Sequence, residues 1–171
     1  AEMNVAETSF LVPKGDRFHL RWFTPELEVD LCGHATLAAA HILWETEVLS
    51  PSSTAIFDTR SGELMASKRG DWIEMDFPAK PAMVSEVSAE ILEVFGPEVV
   101  GYGRSEFDHI VEFPSHDSVA DYIPDITRLA ALGGRGVIIT SRSNVAEFDF
   151  VSRFFGPNAG IPEDPVTGSA H

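Results

Sequence analysis

An α+β chain built from two repeated units is what this sequence predicts, and three observations predict it. Strand-like stretches surround one strongly helical segment; that segment is apolar on almost every face; and one strand-to-glycine motif occurs twice. The first copy runs Arg21-Trp22-Phe23-Thr24-Pro25 and leads to Gly33-His34-Ala35. The second runs Arg153-Phe154-Phe155-Gly156-Pro157 and leads to Gly168-Ser169-Ala170. Acidic residues precede each glycine turn, Glu28 and Asp30 in the first copy and Glu163 and Asp164 in the second.

Taken in order, residues 7–12 read as a strand and Pro13-Lys14-Gly15-Asp16 as a turn. Residues 18–23 alternate as a second strand, and residues 29–31 form a third that ends at Cys32-Gly33. From His34 to Glu45 the apolar residues crowd every face, which predicts a buried helix wrapped by strands. Strands follow at 54–59, 63–67 and 72–77. Pro78-Ala79-Lys80-Pro81 is the expected boundary, giving domains 1–79 and 80–171. Beyond it come a short helix at 89–95, strands near 99–103 and 108–113, helical stretches around Val119 and at 126–132, and strands at 136–140 and 147–155. The second copy of the repeat reaches Gly168-Ser169-Ala170-His171, where its helix is expected to start.

At 171 residues, 44% of them hydrophobic and 23% charged, the chain has the makings of a proper core. Acidic residues outnumber basic ones 27 to 12, for a formal charge of -15. That balance speaks against nucleic acid and anionic membranes, which need clustered Lys and Arg. No apolar run approaches the ~20 residues that span a bilayer. The single cysteine, Cys32, allows no intrachain disulfide and fits a reducing cytoplasm.

A glycine that ends a strand and opens a helix leaves free backbone N–H groups, which suit an anion. Gly33-His34 and Gly168-Ser169 each offer such a turn. Facing each other they would hold a small carboxylate between two domains; the plainer alternative is that each glycine only turns the chain. His34 could donate to that anion or relay a proton, or serve as a structural histidine. His41 reads as structural. No ligand spacing joins His34, His41 and His171 into a metal site. Cys32 at a helix start invites a nucleophile reading, but no obvious base is paired with it in sequence, and the matching second position is Thr167, so a two-thiol racemase mechanism is not available in its usual form. Glu7 stands where a polar stretch becomes a strand, and in a low-dielectric pocket it could take and return a proton. Asp164 reads as a turn residue or a second acid/base group.

The stretches Met3-Asn4-Val5-Ala6-Glu7-Thr8-Ser9-Phe10, Phe23-Thr24-Pro25 through Leu31-Cys32-Gly33-His34-Ala35-Thr36, Asp76-Phe77-Pro78 and Glu163-Asp164-Pro165-Val166-Thr167-Gly168-Ser169-Ala170-His171 carry a resemblance. In family order and from end to end, the chain resembles the PhzF-like phenazine-biosynthesis isomerases of the diaminopimelate epimerase-like fold. The resemblance implies two pseudo-symmetric domains, each a mixed sheet wrapped around a central helix, and no metal or organic cofactor. It implies Glu7 as the acid/base, assisted by His34 and Asp164, with His34 and Ser169 lining the site and the amides at Gly33 and Gly168 holding a carboxylate. Against that pattern the chain is expected to lack an N-terminal strand of the first domain and the central helix and remainder of the second. Isomerisation by proton transfer is therefore the leading expectation, with a homodimer left open. A non-catalytic or vestigial binding protein of the same fold and a thiol enzyme using Cys32 are the alternatives.

Overall fold

The computed structural model describes residues 5–77 and 79–170. Met3 and Asn4, Pro78 of the expected boundary and His171 lie outside the described residues. Contacts divide the chain into two units. The first is Ala1–Ala79 joined by Val166–Ser169; the second is Lys80–Pro165 with Ala170.

In the first unit, β1 (Thr8–Lys14), β2 (Arg17–Phe23), β3 (Glu28–Val29), β4 (Ala55–Thr59), β5 (Gly62–Arg69) and β6 (Trp72–Asp76) form one sheet in the order β1-β2-β4-β5-β6, with β3 also on β2. Every pairing is antiparallel except β2 with β4. A parallel pair needs a long crossover, and the chain supplies it with β3 and the helix α1 (Gly33–Glu45). Along β2 the side chains alternate, Phe18, Leu20 and Trp22 inward and His19 and Arg21 outward. Against the inward set and against Ala55, Phe57, Leu64 and Ala66, α1 lays Ala35, Ala39, Ala40, Leu43 and Trp44. The alanines leave little bulk between helix and sheet, so the larger side chains fill the layer.

The helix is not buried all round, as its composition suggests. Leu37, Ala38, His41 and Ile42 form an exposed stripe. Their spacing puts them on one side of the helix, and the described sheet covers the other. The apolar residues of that stripe gave no hint from composition alone of which face would meet the sheet. His41, expected to be structural, is on the exposed side.

In the second unit, β7 (Met83–Ser85), β8 (Gly101–Arg104), β9 (Asp108–Glu112), β10 (Gly136–Arg142), β11 (Phe150–Gly156) and β12 (Ile161–Asp164) form a sheet in the order β12-β11-β10-β9-β8-β7. Again one pair is parallel, β9 with β10. Its crossover holds α3 (His116–Ala120) and α4 (Ile126–Ala131); α2 (Ala89–Phe95) precedes β8. The helix residues Ile91, Phe95, Val119 and Leu129 pack on Val111, Val137, Ile139 and Phe155 of the sheet. Serine and aspartate caps set the helix starts: Ser88, Ser115 and Asp125 each accept from a backbone N–H three residues on. Arg135 clamps the buried Asp108 carboxylate with two nitrogens, Nε at 2.9 Å and Nη2 closer still. No described helix is long and apolar enough to cross a membrane.

Candidate functional site

The repeated motif builds the same local device twice. In the first unit Arg21 donates through Nε and Nη2 to both oxygens of Glu28, at 2.7 and 2.8 Å, and its guanidinium lies 4.9 Å from the centre of the Phe23 ring. In the second Arg153 donates the same way to Glu163, at 2.7 and 2.9 Å, and lies 5.1 Å over Phe155. A planar fork on a carboxylate fixes both partners in angle as well as distance. Each clamp thus ties the motif strand to the short strand that carries the chain toward its glycine, β2 to β3 and β11 to β12. The Arg21 guanidinium, and behind it Arg60, holds the Glu28 carboxyl below its usual range.

From β3 the chain enters α1 with Cys32 as its N-cap residue, in extended conformation and with no capping bond from its side chain. Thr36 instead donates its hydroxyl back to the Cys32 carbonyl at 2.7 Å. The sulfur is left inside, 3.9 and 3.8 Å from Nδ1 and Nε2 of His34. Glu7, just before β1, meets the same ring: its Oε2 lies 3.0 Å from His34 Nε2. The Glu7 side chain is only 7% exposed and that of His34 29%. The closeness of Glu7 and His34 is one of charge rather than of aligned bonding, since Oε2 is buried with no hydrogen-bond donor pointed at it among the described residues. The other ring nitrogen, Nδ1, is 2.8 Å from the Val166 carbonyl, which fixes it as a donor. The Cys32 sulfur first and the Glu7 carboxylate second favour the imidazolium and push His34 up to about 11, against the opposing effect of burial.

Of the residues expected at the site, Glu7, Gly33, His34, Gly168 and Ser169 all belong to the first unit, because Val166–Ser169 returns to it. A Cβ added to Gly33 would meet the Cα of Gly168 at 3.9 Å, so the two glycine turns lie against each other. Gly168–Ala170 forms one 3-10 turn. Asp164 ends β12 in the second unit, with its Cα opposite that of Phe154. Two features escaped the sequence. Cys32, which has no base beside it in the chain's pattern of motifs, has His34 as a neighbour two residues on; the Cys-Gly-His spacing was the available signal. The Val166 carbonyl that orients His34 left no signal at all, since any residue could supply it.

The chain matches the family described as phenazine biosynthesis-like protein (PhzC-PhzF) over residues 1–171. An uncharacterized isomerase of Halalkalibacterium halodurans is 48% identical across all of this chain and 65% of its own length. A PhzF-family protein from Enterococcus faecalis, solved by crystallography, is 38% identical with a TM-score of 0.86, over 99% of this chain and 64% of that one. A predicted epimerase from Pseudomonas aeruginosa has the same fold at 20% identity and a TM-score of 0.65, again over 99% and 64%. The chain therefore spans a little under two thirds of the length of these relatives.

Proposed function

Because the chain belongs to the phenazine biosynthesis-like family, we propose that it carries the acid/base unit of a cofactor-independent isomerase or epimerase. The reaction moves a proton within a small carboxylate substrate. Glu7 is the general acid/base. The observation that carries this reading is the state of its carboxylate: nearly buried, with no aligned donor to Oε2 among the described residues and so a lone pair for a substrate proton. His34 sits 3.0 Å away, close enough to steady the negative charge when Glu7 is ionised and to give when it is not. The amides at Gly33 and Gly168, with His34 and Ser169, bind the substrate carboxylate, helped by the positive end of α1. Asp164 serves as the second acid/base group on the strength of the repeat alone.

The test is Glu7→Gln in the full-length protein, followed by solvent-deuterium incorporation into the substrate or a carboxylate analogue. Incorporation falls by ~10²-fold or more while the fold is kept. Exchange at the unaltered rate takes Glu7 out of the reaction.

A second reading has an observation of its own. Cys32 Sγ lies beside the His34 ring, a side-chain neighbour that the sequence did not suggest. On this reading Cys32, not Glu7, exchanges the substrate proton. Cys32→Ala separates the two: the carboxylate mechanism keeps most turnover, the thiol mechanism loses it.

A further inference from the structure

We propose that Arg60 and Ser61, the two residues of the loop between β4 and β5, are positioning residues for the turn that opens α1. Ser61 donates its hydroxyl to the Asp30 carbonyl at 2.7 Å. Arg60 stands beside it, with Nη1 donating to Asp30 Oδ1 at 3.4 Å and Nη2 lying 3.0 Å from Glu28 Oε2. Both loop residues thus grip residues 28–30, the stretch that feeds Cys32 and Gly33. That stretch leaves its ladder early: β3 ends at Val29 and α1 begins at Gly33, so residues 30–32 lie in neither. Backbone without a ladder depends on side chains to satisfy and hold it.

Turn chemistry does not account for these two residues. Thr59 and Gly62 are the last Cα pair of the hairpin, and a two-residue loop favours Asn-Gly or Gly-X rather than Arg-Ser. The positive φ falls on Gly62, at +100°, and on neither Arg60 nor Ser61. Thr59 already closes the loop, since its Oγ1 accepts from the Ser61 N–H at 3.1 Å and donates to the Gly62 carbonyl at 2.7 Å. The side chains at 60 and 61 are left to act outside the hairpin. A comparison of the two clamps shows what they do there. Arg153 braces itself on the carbonyls of Val119, Ala120 and Tyr122. Arg21 makes no such contact among the described residues, and Arg60 supplies the second hold on Glu28 instead. The Asp30 carboxylate is exposed, so its pairing with Arg60 adds little. The brace therefore rests on the Ser61 hydrogen bond and on the largely buried Glu28 carboxylate. Gly33 follows three residues after Asp30 and takes the place of its amide from them.

Cys32 ends the braced stretch and is buried, which makes it the reporter. A buried thiol is alkylated through local opening, so the rate follows the open population. In the full-length protein, labelling of Cys32 by iodoacetamide is timed by mass spectrometry of its peptide. Iodoacetate serves as a second, anionic probe, and each rate is divided by that of the same reagent with glutathione. Ser61→Ala labels with iodoacetamide about 2–10-fold faster, the worth of one hydrogen bond. Arg60→Gln labels about 1.5–5-fold faster, as a partly exposed ion pair allows, and the double variant exceeds either. Ser61→Thr keeps the hydroxyl and labels like the unaltered protein. So does Arg69→Gln, from an exposed pair at the far end of β5. Circular dichroism verifies that these loop and surface variants keep the fold. Unchanged rates in the double variant, or a rise that Ser61→Thr shares, overturn the proposal. The consequence for binding rests on the function proposed above, in which the Gly33 amide holds a carboxylate. Iodoacetate then outpaces iodoacetamide at Cys32 in the unaltered protein, and the double variant loses that advantage; an advantage that survives there overturns the positioning role. No advantage at the outset, with iodoacetamide rates rising as stated, upholds the brace and removes the carboxylate from the Gly33 amide.

Discussion

Two arginines in matching places need not matter equally. Arg21 is half exposed, and among the described residues its side-chain hydrogen bonds go to the Glu28 clamp, with its guanidinium over the Phe23 ring. Arg153 does more with the same fork. Its Nη1 also donates to the carbonyls of Val119, Ala120 and Tyr122, at 3.1, 3.3 and 2.7 Å, satisfying acceptors where α3 ends. Lysine keeps the charge but cannot hold a carboxylate by two atoms while reaching three carbonyls. Arg153→Lys is therefore expected to cost about 1–3 kcal/mol, the usual worth of hydrogen bonds to a charged group. Arg21→Lys, facing solvent, moves the urea midpoint little. Equal shifts for the two variants would show that the carbonyl contacts of Arg153 contribute nothing.

Among the elements, β10 is the most tightly constrained by a single small residue. A Cβ at Gly136 would come within 2.5 Å of both the Phe154 ring and the Phe155 carbonyl. The ring can turn, but the carbonyl belongs to the partner strand and cannot, so Gly136→Ala should destabilise by about 1–3 kcal/mol or more. A urea midpoint equal to that of the unaltered protein would mean the strands separate without cost. Elements of this kind were largely legible in the sequence. Alternation in β2 and β6, and the apolar crowding of α1, located them to within a residue or two. β7 and β12 were not legible, for a physical reason. Met83, Val84 and Ser85 are all exposed and bury no pattern, and β12 reads Ile-Pro-Glu-Asp, mostly residues that strands disfavour. What makes β12 a strand is the ladder and clamp offered by β11, which no local pattern records. The site divides the same way. Glu7, Gly33 and His34 could be named from motifs, while the contact of His34 with a backbone carbonyl 132 residues away could not.

For the whole molecule the dominant long-range force is its own charge. A net charge of -15 with a pI near 4.6 repels itself at neutral pH, and compaction brings those charges together. Simple salt screens that repulsion over about 8–10 Å near physiological ionic strength. The urea midpoint at neutral pH should thus rise between low and physiological NaCl, before any general salting-out sets in. A midpoint that falls instead would mean that the ion pairs around Arg17, Arg60 and Arg135 outweigh the excess of acid.

The return of Val166–Ser169 to the first unit also sets an order in time. A ribosome delivers the chain from its N-terminus, and units that can close on their own fold as they emerge. The described strands of the first sheet and α1 all precede Ala79 in sequence, yet the carbonyl that fixes the His34 ring arrives only after residues 80–165 of the second unit. Until then His34 has Glu7 and Cys32 beside it but no carbonyl to hold its Nδ1, and the nascent protein owns a core before it owns a site.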